Sequence, residues 1–119
     1  MKIAFFSHSP HFMGAERALY ETIVVLKKSN IDSIVFVPES GELENHLHGL
    51  GIKTYILKSK LWIVQDNFLQ GLVNFFKTVL RSFSALKILK QEKVDVLYSN
   101  TITTPIGMII HRLTSIPHI

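Results

Sequence analysis

Few side chains in this 119-residue sequence offer chemistry, and none falls into a recognised catalytic pattern. Cysteine is absent, which removes thiolate zinc sites and any disulfide framework. His8 and His11 stand three apart, with His46, His48, His111 and His118 further along. No carboxylate has the spacing to complete a metal set with them, and two imidazoles alone rarely hold zinc, so no metal and no cofactor is expected. A nucleophile-elbow glycine pattern, a phosphate-loop lysine and the three-glycine dinucleotide fingerprint are all missing, and no catalytic residue can be assigned. What remains is the stretch from Met1 to Arg17. An apolar run through Phe6 leads into a polar loop containing His8, Ser9 and Pro10, and Gly14 then opens a long amphipathic pattern. Strand, loop and helix start in that order place backbone N–H groups just past a strand's carboxyl end, which is the geometry of an anion site. A lone Gly14 also fits a helix N-terminus with no ligand. His8 can donate to a phosphate or a sugar hydroxyl. A second polar cluster, Ser99-Asn100-Thr101, reads either as a turn satisfying its own backbone or as a hydrogen-bonding platform for a polyhydroxylated ligand.

The elements that would position these groups follow from periodicity. Ala15, Ala18, Leu19, Thr22, Ile23, Val25 and Leu26 recur at helical spacing, with Glu16 in the first turn and Lys27 and Lys28 in the last, where each complements the helix dipole. Ile34 to Val37 is a continuous apolar run stopped by Pro38, the mark of a buried parallel strand. Glu42 to Leu50 is a short helix closed by Gly51, with His46 and His48 on a solvated face, and Lys53 to Leu57 a third strand. Lys58 to Asn67 has no regular period. From Phe68 to Lys90 the set Phe68, Leu72, Phe75, Phe76, Val79, Leu80, Phe83, Leu86 and Leu89 follows a helical period and is expected to face the core, with a kink near Gly71. Val94 to Tyr98 is a fourth strand, Thr104 to Leu113 a fourth helix with Pro105 near its first turn, and Ile116 to Ile119 the start of a fifth strand.

Strands alternating with helices imply an α/β, Rossmann-like parallel sheet of order 3-2-1-4-5 with helices on both faces. The order reverses between strands 1 and 4, so the His8 to Met13 loop and Ser99 to Thr101 open onto one crevice. One domain accounts for the length. Apolar residues at 47% and charged residues at 18% exclude a disordered or fibrous class, and a net charge of +4 suits an anionic ligand or membrane face without requiring one. No nucleic-acid motif accompanies the basic residues. Neither a signal-peptide layout nor an apolar run of roughly 18 residues occurs, so a cytoplasmic setting is expected. The aromatic-rich, basic-interspersed stretch from Trp62 to Lys90 has an apolar arc wide enough to admit peripheral contact with the inner face of a membrane.

At Phe12-Met-Gly-Ala-Glu-Arg-Ala18, at Lys93-Val-Asp-Val-Leu-Tyr-Ser-Asn-Thr-Ile-Thr-Thr-Pro-Ile-Gly107 and at Ser115-Ile-Pro-His-Ile119, the chain resembles the N-terminal domain of GT-B glycosyltransferases of the family 4 group. That resemblance covers nearly all of residues 1–119 and implies the acceptor-side Rossmann-like domain of a two-domain enzyme, with the C-terminal donor domain absent from this chain. Such enzymes transfer a sugar with retention, generally without metal, from a nucleotide-sugar to a glycan or lipid-linked acceptor, as in cell-envelope polysaccharide biosynthesis. Gly14 and Ala15 would then offer N–H groups to the donor diphosphate, and His8, Ser9, Ser99, Asn100 and Thr101 would line the acceptor side. Met13 replaces the first glycine of the pair found in many relatives, and the histidine that relatives carry past strand 5 is absent, so the fragment alone is expected to be inactive. An uncovered sheet edge and cleft face further imply self-association. The alternative is a stand-alone flavodoxin-like domain that binds a phosphate or a partner in a regulatory role.

Overall fold

The computed structural model describes residues 1–58, 67–100 and 106–119. Its sheet has four parallel strands, β1 (Lys2–Phe6), β2 (Asp32–Val37), β3 (Lys53–Ile56) and β4 (Val96–Ser99), in the order β3-β2-β1-β4. Four helices connect or follow them: α1 (Gly14–Lys28), α2 (Glu42–Gly49), α3 (Phe68–Glu92) and α4 (Ile106–Thr114). The expected fifth strand is present only as a bridge. Leu97 pairs with His118, the Leu97 and Ser99 N–H groups donate to the Pro117 and Ile119 carbonyls, and the Ile119 N–H donates to Leu97. Pro117 has no N–H to donate, so it cannot extend the pairing towards Asp95.

Alternation along the central strands builds two cores. Phe5, Val35 and Val37 point to one face, where they meet Leu19 and Ile23 of α1 and Leu43 and Leu47 of α2. Ala4, Phe6, Ile34, Phe36 and Leu97 point to the other, against Ala85 and Leu89 of α3 and Ile106 and Ile110 of α4. The Phe6 and Phe36 rings stack at 4.9 Å across that second face. Each fully buried side chain of this size contributes about 1.5–3 kcal/mol, so the β1 and β2 residues anchor the fold. Gly51 ends α2 at φ 73°, a left-handed conformation that glycine adopts without strain.

Helix α3 departs from expectation. It runs unbroken for 25 residues, and the face it turns inward carries Thr78, Ser82, Ala85 and Leu89. Phe68, Leu72, Phe75, Phe76, Leu80 and Phe83, all expected in the core, are exposed. Small residues let the helix sit close to its neighbours, and the two hydroxyls donate to carbonyls one turn back, Thr78 to Asn74 and Ser82 to Thr78, each at 2.8 Å. Their burial therefore leaves no donor unmet. Trp62 and the rest of 59–66 lie outside the described residues, as does Pro105.

At the amino ends of the strands, Glu92 ties three elements together. Its carboxylate accepts from Tyr55 Oη at 2.6 Å and from Lys2 and Lys53 Nζ at 3.0 and 3.1 Å, and its side chain is 10% exposed. The Tyr55 hydrogen bond, followed by those from the lysines, holds the Glu92 carboxyl down to about 2. Its contribution to stability is therefore full above the ordinary carboxylate value of 4.5 and is lost as pH falls towards 2. Glu92→Gln is expected to destabilise the fold by about 2 kcal/mol at neutral pH. Chemical denaturation as a function of pH checks this. The gap between wild type and variant should close between pH 4.5 and about 2, and a constant gap would refute the assignment.

Candidate functional site

Because β1 pairs with β4, with Phe6 opposite Ser99, the loops leaving these strands emerge side by side. The loop after β1 is pinned from below by α2. The Pro10 carbonyl accepts from the Leu43 N–H at 3.0 Å, and Gly41 sits so close under Pro10 that a Cβ there would lie 2.7 Å from its oxygen. Phe12 stacks on His46 at 3.8 Å with Tyr20 edge-on at 5.4 Å, so His46 serves as a packing surface for the loop. Within the loop, Ser7 Oγ donates to the Ser9 carbonyl and Ser9 Oγ accepts from the His11 N–H.

Helix α1 then begins without a side-chain cap, since Met13 makes no capping hydrogen bond. Among the described residues the Gly14 and Ala15 N–H groups meet no acceptor, and the first bond of the helix runs from Arg17 to Met13. A Cβ built on Gly14 would meet nothing within 4 Å. Among the described residues, neither packing nor backbone conformation demands glycine there.

Glu16 occupies an environment that the sequence did not reveal. It is 3% exposed, and its Oε1 lies 3.2 Å from His8 Nδ1. Both atoms are fully buried and have no hydrogen-bond partner in aligned geometry among the described residues. The sequence signal was a titratable pair eight apart, spanning a strand end and the first turn of the next helix.

On the β4 side, Asn100 links the two loops by donating from its backbone N–H to the Phe6 carbonyl at 3.1 Å and from Nδ2 to the Ala15 carbonyl at 3.0 Å. Ser99 points elsewhere. Its Oγ lies 2.8 Å from His118 Nε2, and both atoms crowd against Gly107. Burial, and then the nearby His111, push His118 below the ordinary imidazole range, so the ring is neutral at pH 7. His111 Nδ1 donates to the Ile116 carbonyl at 2.7 Å. Of the expected set, therefore, His8 is paired with Glu16, Ser9 stays in the loop, Ser99 meets His118, and Asn100 bridges to Ala15. Thr101 lies outside the described residues.

A concavity of about 230 Å³ lies at the amino ends of the strands, and one of about 270 Å³ beside Phe68, Leu72 and Phe75. Among the described residues no three histidine, aspartate or glutamate side chains cluster as a metal site.

Solved structures share this fold. MurG from Acinetobacter baumannii superposes with a TM-score of 0.72 at 20% identity, over 98% of this chain and 33% of that one. Anabaena Alr3699/HepE in complex with UDP and glucose gives 0.67 at 19% identity, over 99% and 28%. A glycosyltransferase from Rickettsia africae ESF-5 gives 0.74 at 17%, over 98% and 28%. The chain thus spans about a third or less of the length of these proteins and matches them as an α/β Rossmann-like domain. No protein-family model matches the chain, and no curated protein sequence matches it.

Gly107 is the residue that lets α4, β4 and the bridging segment meet. Gly107→Ala would drive a methyl group into Ser99 Oγ and to 2.7 Å from His118 Nε2. A loss of about 1–3 kcal/mol in thermal or chemical unfolding is expected, together with faster amide exchange at Ile119, whose N–H donates to Leu97. Unchanged protection there would show that the contact does not hold the segment.

Proposed function

We propose that residues 1–119 are the N-terminal, acceptor-side domain of a glycosyltransferase that moves a sugar from a nucleotide-diphosphate donor to a glycan or lipid-linked acceptor. The observation carrying this reading is the start of α1. A glycine that the described residues do not require exposes N–H groups with no acceptor among those residues, at a helix N-terminus where sheet order reverses. Shared fold with glycosyltransferase structures supports it, one of them solved with UDP and with UDP-glucose. In this reading Gly14 and Ala15 donate to the diphosphate, while His8, Ser9, Ser99, Asn100 and Thr101 belong to the acceptor side. A separate donor domain supplies most nucleotide contacts, so this half binds the donor weakly and does not catalyse.

Helix α3 gives the reading its cellular setting. Phe76, Leu80 and Phe83 are 65%, 67% and 53% exposed, and Lys77, Lys87 and Lys90 stand out among them. Among the described residues no helix is long and apolar enough to cross a membrane. An exposed aromatic face with interspersed cations instead suits the interfacial zone of an anionic bilayer, where a lipid-linked acceptor would be found.

Two measurements test these proposals. In amide NMR titrations with UDP, shifts are expected at Gly14 and Ala15, with apparent affinity in the millimolar range. Gly14→Val should keep the fold, because the space beside it is open, and weaken UDP at least about tenfold. Equal binding by the variant would move the diphosphate elsewhere. In vesicle co-sedimentation, the chain should bind membranes containing phosphatidylglycerol better than neutral ones, and salt should weaken the binding. The double change Phe76→Glu and Leu80→Glu should abolish it with circular dichroism unchanged. Vesicle binding that survives both substitutions would exclude α3 as the contact.

A further inference from the structure

The pair formed by His8 and Glu16 has no part in the diphosphate contact proposed above, yet it lies beside it. His8 is two residues beyond β1, and Glu16 is in the first turn of α1 next to Gly14 and Ala15. A carboxylate 3% exposed and lacking an aligned donor is costly, and the polar hydrogen nearest to hand among the described residues is that on His8 Nδ1, 3.2 Å away. The opposite tautomer would face the Nδ1 lone pair onto the Glu16 lone pairs. In the neutral ring the proton therefore sits on Nδ1 and the lone pair on Nε2. Nδ1 is buried while the side chain as a whole is 24% exposed, and Nε2 makes no hydrogen bond among the described residues. The ring is therefore partly open to solvent at the carboxyl end of β1.

We propose that Glu16 positions His8 as a fixed hydrogen-bond acceptor for a neutral hydroxyl group, that of a sugar or alcohol, and against a phosphate. A lone pair backed by a buried carboxylate attracts a hydroxyl hydrogen and repels an anion. The crevice is thereby divided: anion at the N–H groups of Gly14 and Ala15, hydroxyl at His8 Nε2. This deepens the transferase reading, since the hydroxyl would be the acceptor's, and it assigns to Glu16 a role in ligand choice.

Nitrogen-15 NMR of the histidine side chains in this chain, recorded at about pH 8 where imidazole is ordinarily neutral, tests it directly. In wild type His8 should show a protonated, pyrrole-type Nδ1 and an unprotonated, pyridine-type Nε2. Glu16→Gln, whose amide oxygen still accepts, should keep that pattern, and Glu16→Leu should move the proton towards Nε2. Added methyl glucoside should shift Nε2 in wild type and in Glu16→Gln but not in Glu16→Leu, while inorganic phosphate should leave it in place. A wild-type Nε2–H, or a phosphate shift larger than the glycoside shift, overturns the proposal. So does the absence of any glycoside shift. If Glu16→Leu does not fold, wild type and Glu16→Gln still decide these outcomes. UDP shifts at Gly14 and Ala15 report on the transferase reading separately. Their absence beside an intact glycoside response would remove that reading and leave the His8 and Glu16 assignment standing.

Discussion

Parallel pairing of β1 with β4 is the constraint on which the rest depends. With Phe6 set opposite Ser99, the two loops at the carboxyl ends must leave side by side, and Asn100 can bond to both the Phe6 and the Ala15 carbonyls. Had β4 been added beyond β3 instead, the same loops would stand three strand spacings apart, roughly 14 Å, and no single side chain could bridge them. The reversal also puts α1 and α2 on one face and α3 and α4 on the other.

Charge at that helix start is more finely balanced than a dipole argument alone suggests. The terminus offers roughly +0.5 of an elementary charge. Glu16 adds a full negative charge one turn in, buried where water screens it poorly. Left alone, it would outweigh the dipole and turn an approaching anion away. His8 Nδ1–H offsets part of it at 3.2 Å, and Arg17, exposed in the same turn, adds a cation. The balance that results is modest attraction.

The sequence made the architecture legible because buried parallel strands and glycine-capped helices leave one-dimensional marks. The run Ile34 to Val37 before Pro38, and Gly51 after α2, set element ends almost to the residue. Gly14 could be read as a helix start for the same reason. Side-chain pairings left no such mark. Glu16 resembled any first-turn acid until its helix was docked, and His46, exposed as its helical face implied, gave no sign that Phe12 would stack on it. His118 could meet Ser99 only once Gly107 had cleared the space. Each contact joins residues from separate elements, and periodicity within one element carries no information about that.

Helix α3 shows the same limit in reverse. Its period was correct and its orientation was not, because hydrophobicity ranks phenylalanine above threonine and serine for burial while geometry favours small residues where a helix must approach closely. Thr78 and Ser82 can be buried because each finds its acceptor in the preceding turn, so the usual penalty for a polar group in the interior does not arise. With that face satisfied, Phe75, Phe76 and Phe83 stay exposed among the described residues. Phe75 and Phe76 meet each other at 6.3 Å and otherwise face outward. Nothing in the stability of this domain requires aromatic residues at exposed positions along α3, where polar ones would cost less in water. The proposed contact with an apolar, anionic surface would account for their presence beside Lys77 and Lys87.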